Sequence, residues 1–192
     1  MRKSNSCAQF ILTVPSPKSI TENLARAEKE FLSAAEAVPA DHWKRRPGED
    51  CWSAGELVCH LIMVEQAVIK GADRLLQGPP KPRPFLKRFH IPMALVESRV
   101  IRRKSPIPLD PDLIGEKEAM LGQLRTVRER TLAFIEETRG KDLSNYHMAH
   151  PFLGTLNAYE WFQMIASHEV RHSKQMREIA GALPKSVTTL EK

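Results

Sequence analysis

The chain has 192 residues and a formal net charge of +6, with 42% hydrophobic and 27% charged residues. This composition is typical of one soluble globular domain, and it excludes a membrane-spanning chain because no stretch approaches the about 20 apolar residues that a transmembrane helix needs. The three cysteines, Cys7, Cys51 and Cys59, form no C-x-x-C pair. We therefore expect free thiols and a cytoplasmic location.

The first predicted helix runs from about Ser19 to Val38, where apolar residues recur every three or four positions and give one buried stripe. Pro39 ends it. The residues before it, 1–18, form an N-terminal extension whose apolar patch is too short for a secretory signal.

The second predicted helix begins at Ser53, which forms a capping box with Glu56, and it ends at Gly78. Residues 79–110 follow as a long basic, proline-rich crossover, with one short helix expected near Met93 to Arg103. Such a basic segment can bind nucleic acid or acidic lipid. Without an aromatic platform or a nucleic-acid motif, a solvated linker face is favoured, and we expect no nucleic-acid partner and no membrane.

The third predicted helix has Asp110 as its N-cap and continues to about Thr138. Residues 142–156 are predicted to be a loop. The fourth helix starts with Asn157 as its cap and runs to about Ala180. No segment alternates with a period of two, so the fold class is all-α, a four-helix bundle over residues 19–184 with a C-terminal tail, 185–192.

His168 and His172 lie four residues apart within the fourth helix, on one face and one turn apart, so two imidazoles can bind the same ion. The intervening residues complete an H-E-x-x-H string, which is also the zinc motif of metalloproteases, with Glu169 as the general base. Those enzymes take a third ligand from downstream, where only twenty residues remain. A protease is therefore the least favoured hypothesis.

His60 is the best candidate for a third ligand, because it lies in the middle of the second helix beside the apolar positions Leu57, Leu61 and Val64. A lone histidine on such a stripe is usually a satisfied core residue. A facing pair at i and i+4 favours ligation, and three neutral imidazoles would leave a coordination position open for catalysis.

Two separated motifs resemble those of a known family, the DinB/YfiT-like superfamily. The first motif is Trp52-Ser53-x-x-Glu56-Leu57-x-x-His60-Leu61, and the second is His168-Glu169-x-Arg171-His172-x-x-Gln175. A third segment similar to that family precedes the last helix and reads His150-Pro151-x-x-Gly154. The resemblance covers about residues 19–182. It implies an up-down-down-up bundle with a long crossover between the second and third helices.

The same resemblance implies a three-histidine divalent-metal site on His60, His168 and His172, with zinc or nickel as the metal and iron or manganese as alternatives. It also implies a thiol S-transferase or a small-substrate hydrolase, acting on a small molecule such as a low-molecular-weight thiol. The competing hypothesis is a non-catalytic metal-binding or stress-response module. Bundles of this kind often pair through a helix face, so we expect a homodimer.

Four further residues are candidates for supporting or substrate-binding roles. Glu169 projects about 100° from His168 on the helix and is a candidate outer partner of the metal site. Arg171 and Gln175 flank the same turns, where they either bind an anionic group of the substrate or form ordinary surface and interhelical pairs. His150, in the loop before the last helix, either lines the mouth of a pocket or is a surface histidine.

Overall fold

The computed structural model describes residues 16–81, 96–97 and 110–183. Four long helices dominate it: α1 Pro17–Glu36, α2 Ala54–Leu76, α3 Lys117–Glu137 and α4 Ala158–Ala182. A hairpin of β1 His147–His150 and β2 Gly154–Asn157 lies between α3 and α4. The all-α prediction is confirmed, while the up-down-down-up order stays a prediction. The extension before residue 16, the tail after residue 183 and the expected short helix (apart from residues 96–97) lie outside the described residues.

The helix starts follow the capping signals in the sequence. Ser53 and Asn157 each cap a helix through a complete capping box, as predicted for α2 and α4. The first helix begins two residues earlier than expected, because Ser16 accepts a hydrogen bond from the Ser19 amide and Pro17 occupies the first turn.

The predicted start of the third helix is wrong. Asp110 does cap a turn, accepting a hydrogen bond from the Asp112 amide, but that turn is a 3-10 helix that ends at Leu113. Gly115 follows, a residue that costs about 1 kcal/mol in a helix interior. The long helix begins only at Lys117, whose Nζ lies 2.9 Å from the Val38 carbonyl oxygen just beyond the end of α1.

The predicted loop at residues 142–156 contains an antiparallel hairpin, so that prediction is wrong for its second half. The His150 Nδ1 accepts hydrogen bonds from the Phe152 and Leu153 amides, 3.1 Å each, which closes the turn. Gly154 has φ 87°, a conformation that favours glycine. The strands were missed because each has four residues, too few for an alternating pattern to emerge.

The helices pack so that α4 lies against both α1 and α2, while α3 lies against α2. Gly55 permits a close approach at the start of α2, since a Cβ there would lie 2.5 Å from Ile114 Cγ2 and 3.0 Å from Trp43 Nε1. The described helices include none with the length and apolarity that crossing a membrane requires.

Candidate metal centre

The three predicted histidines converge between α2 and α4. The Nε2 of His168 lies 3.3 Å from the Nε2 of His60 and 3.0 Å from the Nε2 of His172. Among the described residues they form the group whose ligand atoms all lie within 4.8 Å of one another. His60 and His172 are buried and His168 is half-buried. The site therefore brings together one side chain from α2 and two from successive turns of α4.

Gln175 orients one of these rings. Its Oε1 lies 3.0 Å from the Nδ1 of His172. An amide oxygen can only accept, so Nδ1 carries the proton and the lone pair of Nε2 faces the other histidines. Gln175, a predicted supporting residue, therefore contacts one of the three histidines directly.

Electrostatics keep the three imidazoles neutral at pH 7. Burial lowers the pKa of His60 to about 4. Burial, together with the neighbouring imidazoles and the positive charge of Arg171, holds the pKa of His168 and of His172 well below the usual range. Neutral imidazole is the form that binds a metal ion, so no proton has to be released when these rings coordinate one.

The nitrogen separations suit a divalent cation. Ligands arranged tetrahedrally at 2.0–2.1 Å around zinc lie roughly 3.3 Å apart. The observed separations of 3.3 Å and 3.0 Å are close to this value. Three nitrogen donors leave a further position for water or substrate, which is the arrangement of catalytic rather than structural zinc sites.

Comparison with known proteins identifies the family. The model of the DinB superfamily matches residues 23–176, most of the chain and all three histidines. The chain belongs to the DinB superfamily. It is also similar to YuaE of Bacillus subtilis (strain 168), described as an uncharacterized protein, with 29% identity over 155 residues that cover 80% of this chain and 92% of YuaE.

Family membership confirms the resemblance drawn from the two separated motifs. A DinB superfamily fold and three histidines near one another together fit a metal site.

Trp52 contacts two of the histidines, although the sequence analysis used it only as part of the family motif. Its ring stacks at 19° on His172, with centroids 6.4 Å apart, and lies 5.0 Å from the ring of His60. Its place in the sequence could have indicated this contact, because Trp52 immediately precedes Ser53, the N-cap of the helix that carries His60. Trp43, by contrast, lies in the core and is 1% exposed.

Glu169 points into the bundle core rather than to a solvent-filled cleft. It is 1% exposed, and its Oε2 accepts a hydrogen bond of 2.9 Å from Nη2 of Arg128. Its Oε1 has no hydrogen-bond partner among the described residues. Burial raises the pKa of this carboxyl to about 7, against the opposing effect of Arg128. A carboxylate enclosed in this way is poorly placed to act as the general base of a protease.

Arg128 and Glu65 are two further residues that the sequence argument missed. With Glu169 they form a buried ionic cluster, in which Arg128 and Glu65 are each 2% exposed. A signal was available: Arg128 lies four residues after the core residue Leu124 and thus on the buried stripe of α3. A charge at such a position is buried only when it has a partner.

His150 belongs to the hairpin turn and packs on Trp161, with ring centroids 4.9 Å apart. Burial lowers the pKa of His168, and the nearby charges, including that of His150, lower it further. Arg171 is half-buried on α4. A concavity of about 370 Å³ between α2 and α3 includes none of the histidines in its lining.

The two described cysteines are free: Cys51 is exposed and Cys59 is buried. The Sγ of Cys59 lies 4.0 Å from the Sδ of Met63, and burial raises the pKa of its thiol. Cys59 is therefore a small buried side chain outside the group of metal-ligand candidates, although it adjoins His60 in sequence.

Proposed function

We propose that this DinB superfamily protein is a divalent-metal-dependent enzyme that either transfers a low-molecular-weight thiol or hydrolyses a small molecule. The proposal rests on one observation, the convergence of three Nε2 atoms at separations of 3.3 Å and 3.0 Å. His60, His168 and His172 are the proposed ligands. Zinc or nickel is the proposed metal, with iron and manganese as alternatives.

A dication on three neutral imidazoles keeps its full charge and lowers the pKa of a thiol or water that it coordinates. The chain's own residues prepare that chemistry. Gln175 holds the His172 ring in the tautomer that presents Nε2. Burial keeps the imidazoles unprotonated, and the Trp52 ring packs beside the His60 and His172 rings.

Arg171 is the proposed contact for an anionic group of the substrate. Its positive charge already acts on the two ligands of α4, lowering the pKa of both. Replacing Arg171 by Met should therefore raise KM for an anionic substrate more than it lowers kcat. A loss confined to kcat would contradict this role.

The metal claim is tested by metal analysis of the purified full-length chain. We expect about one divalent ion per chain in the wild type and a loss of most of it in His60→Ala. His42→Ala is the matched control, because His42 is half-buried in the 3-10 helix Ala40–His42 and belongs to no group of possible metal ligands within the described part of the chain. Fewer than about 0.2 ions per wild-type chain, with no change in His60→Ala, would contradict the proposal that these histidines bind a divalent ion.

The activity claim is tested with metal-loaded protein. Transfer of a small thiol to an electrophile and hydrolysis of an activated ester are measured in parallel, with His60→Ala as the inactive control. Turnover above that control supports an enzyme and indicates which reaction it favours. Tight metal binding without either reaction would favour the non-catalytic module.

A cytoplasmic homodimer remains part of this proposal. Light scattering of the metal-loaded chain measures its mass directly, and a mass of one chain, 21.8 kDa, would contradict the dimer.

A further inference from the structure

One buried guanidinium on α3 contacts the other three helices of the bundle. Arg128 of α3 donates from Nη1 to the Leu24 carbonyl oxygen of α1 at 2.8 Å. Its Nε and Nη2 donate to the two carboxylate oxygens of Glu65 in α2, at 2.8 Å and 2.9 Å. The same Nη2 donates to Glu169 of α4 at 2.9 Å. Such forked, charge-assisted pairs fix both distance and direction.

Both carboxylates of this ionic cluster lie on the helices that carry the histidines. Glu65 follows His60 by five residues on α2, a rise of roughly 7.5 Å. Glu169 is adjacent to His168 on α4. Arg128 itself lies on α3, which contributes no histidine to the group. It therefore bridges the two ligand-bearing helices from outside them.

The position of His60 is the part of the site most sensitive to that bridge. The distance between His168 and His172 is set within one helix. The 3.3 Å between the Nε2 atoms of His60 and His168 depends on how α2 packs against α4. Metal–ligand distances tolerate only about 0.2 Å, so a small shift of α2 would remove the third ligand while leaving the pair intact.

We propose that Arg128 is a positioning residue of the metal centre, which holds His60 of α2 in register with the histidine pair of α4 through Glu65 and Glu169. This inference rests on the proposed function, in which the three histidines bind a divalent cation. Arg128, although remote from the metal, would then decide whether the site has three protein ligands or two.

The remainder of the ionic cluster supports a fixed geometry. Thr131 donates from Oγ1 to Glu65 Oε1 at 2.6 Å, so that oxygen accepts a second hydrogen bond. Burial raises the pKa of Glu28 of α1, on which the charges of Arg128 and Glu65 also act in opposite directions. Loss of Arg128 would leave two buried carboxylates without their shared partner, and α2 and α4 would separate or rotate to hydrate them.

The test measures Co²⁺ binding by the full-length chain through its visible absorption, which reports ligand number and geometry as well as affinity. We expect Arg128→Met to weaken binding at least tenfold and to shift the absorption band. Arg128→Lys keeps the positive charge but cannot form the paired hydrogen bonds to both carboxylate oxygens of Glu65, and it should weaken Co²⁺ binding at least threefold. Ile135→Ala on the same helix is the control. It creates a buried cavity that should lower thermal stability but leave the affinity for Co²⁺ within twofold of wild type.

Combination with His60→Ala separates positioning from general destabilisation. In wild type, His60→Ala should weaken Co²⁺ binding strongly. In the Arg128→Met or Arg128→Lys background the further loss should be at least threefold smaller, because His60 is already out of place. An equal loss in both backgrounds overturns the proposal, as does wild-type affinity in both Arg128 variants. If Arg128→Met does not fold, Arg128→Lys decides alone. A wild type that binds no Co²⁺ would instead refute the proposed metal function.

Discussion

Acidification of the metal-free protein should expose the cost of burying His60. Its pKa is about 4 in the folded chain and 6.5 in the unfolded chain. The folded state therefore binds fewer protons between these values, and the free energy of unfolding falls as the pH falls. The contribution of the neutral, buried His60 imidazole to the free energy of unfolding is complete above pH 6.5, and it is lost progressively as the pH approaches 4. A difference of 2.5 pKa units corresponds to about 3 kcal/mol.

The measurement is urea unfolding of the metal-free wild type and of His60→Leu, followed by far-UV circular dichroism between pH 7.5 and 4. Both proteins share every other titrating side chain, so carboxylate effects largely cancel in the difference. We expect the wild type to lose about 3 kcal/mol more than the variant over this range. Parallel pH profiles for the two proteins would refute the argument that burial keeps His60 unprotonated.

Three further predictions test the packing and the site. Gly55→Ala should destabilise the chain by about 1–3 kcal/mol in thermal unfolding, because its methyl would lie 2.5 Å from an isoleucine methyl, whereas Gly122→Ala, in open space, should not. Gln175→Ala should raise the Kd for Zn²⁺ about tenfold in a chelator competition, while Gln163→Ala on the same helix leaves it unchanged. Copper should quench the fluorescence of Trp52, which lies against two candidate ligand rings, and Trp52→Phe should remove most of that quenching.

The caps and the histidine spacing could be predicted from sequence because they depend on local geometry. Ser53 with Glu56 requires only the first turn of a helix, and both predicted capping boxes are present. The i, i+4 spacing of His168 and His172 places them on one face wherever the helix lies. His60 required a second argument, its place on the apolar stripe, and the structure brings it within 3.3 Å of His168.

Features that depend on contacts between distant segments could not be read from local patterns. The third helix begins at Lys117, and the Nζ of that residue donates to the Val38 carbonyl oxygen just beyond the end of α1, 79 residues away in sequence. The hairpin depends on His150 accepting two amides and on the backbone conformation of Gly154. Neither requirement produces a periodic pattern in the sequence.

The sequence by itself therefore determined the four helices, the family resemblance and the three histidines that converge. Only the tertiary structure decided what surrounds them: Trp52 against the rings, and Arg128 bridging Glu65 and Glu169. The physical reason is that a charge on a buried stripe signals that a partner must exist, while the packing of all four helices determines which partner it is.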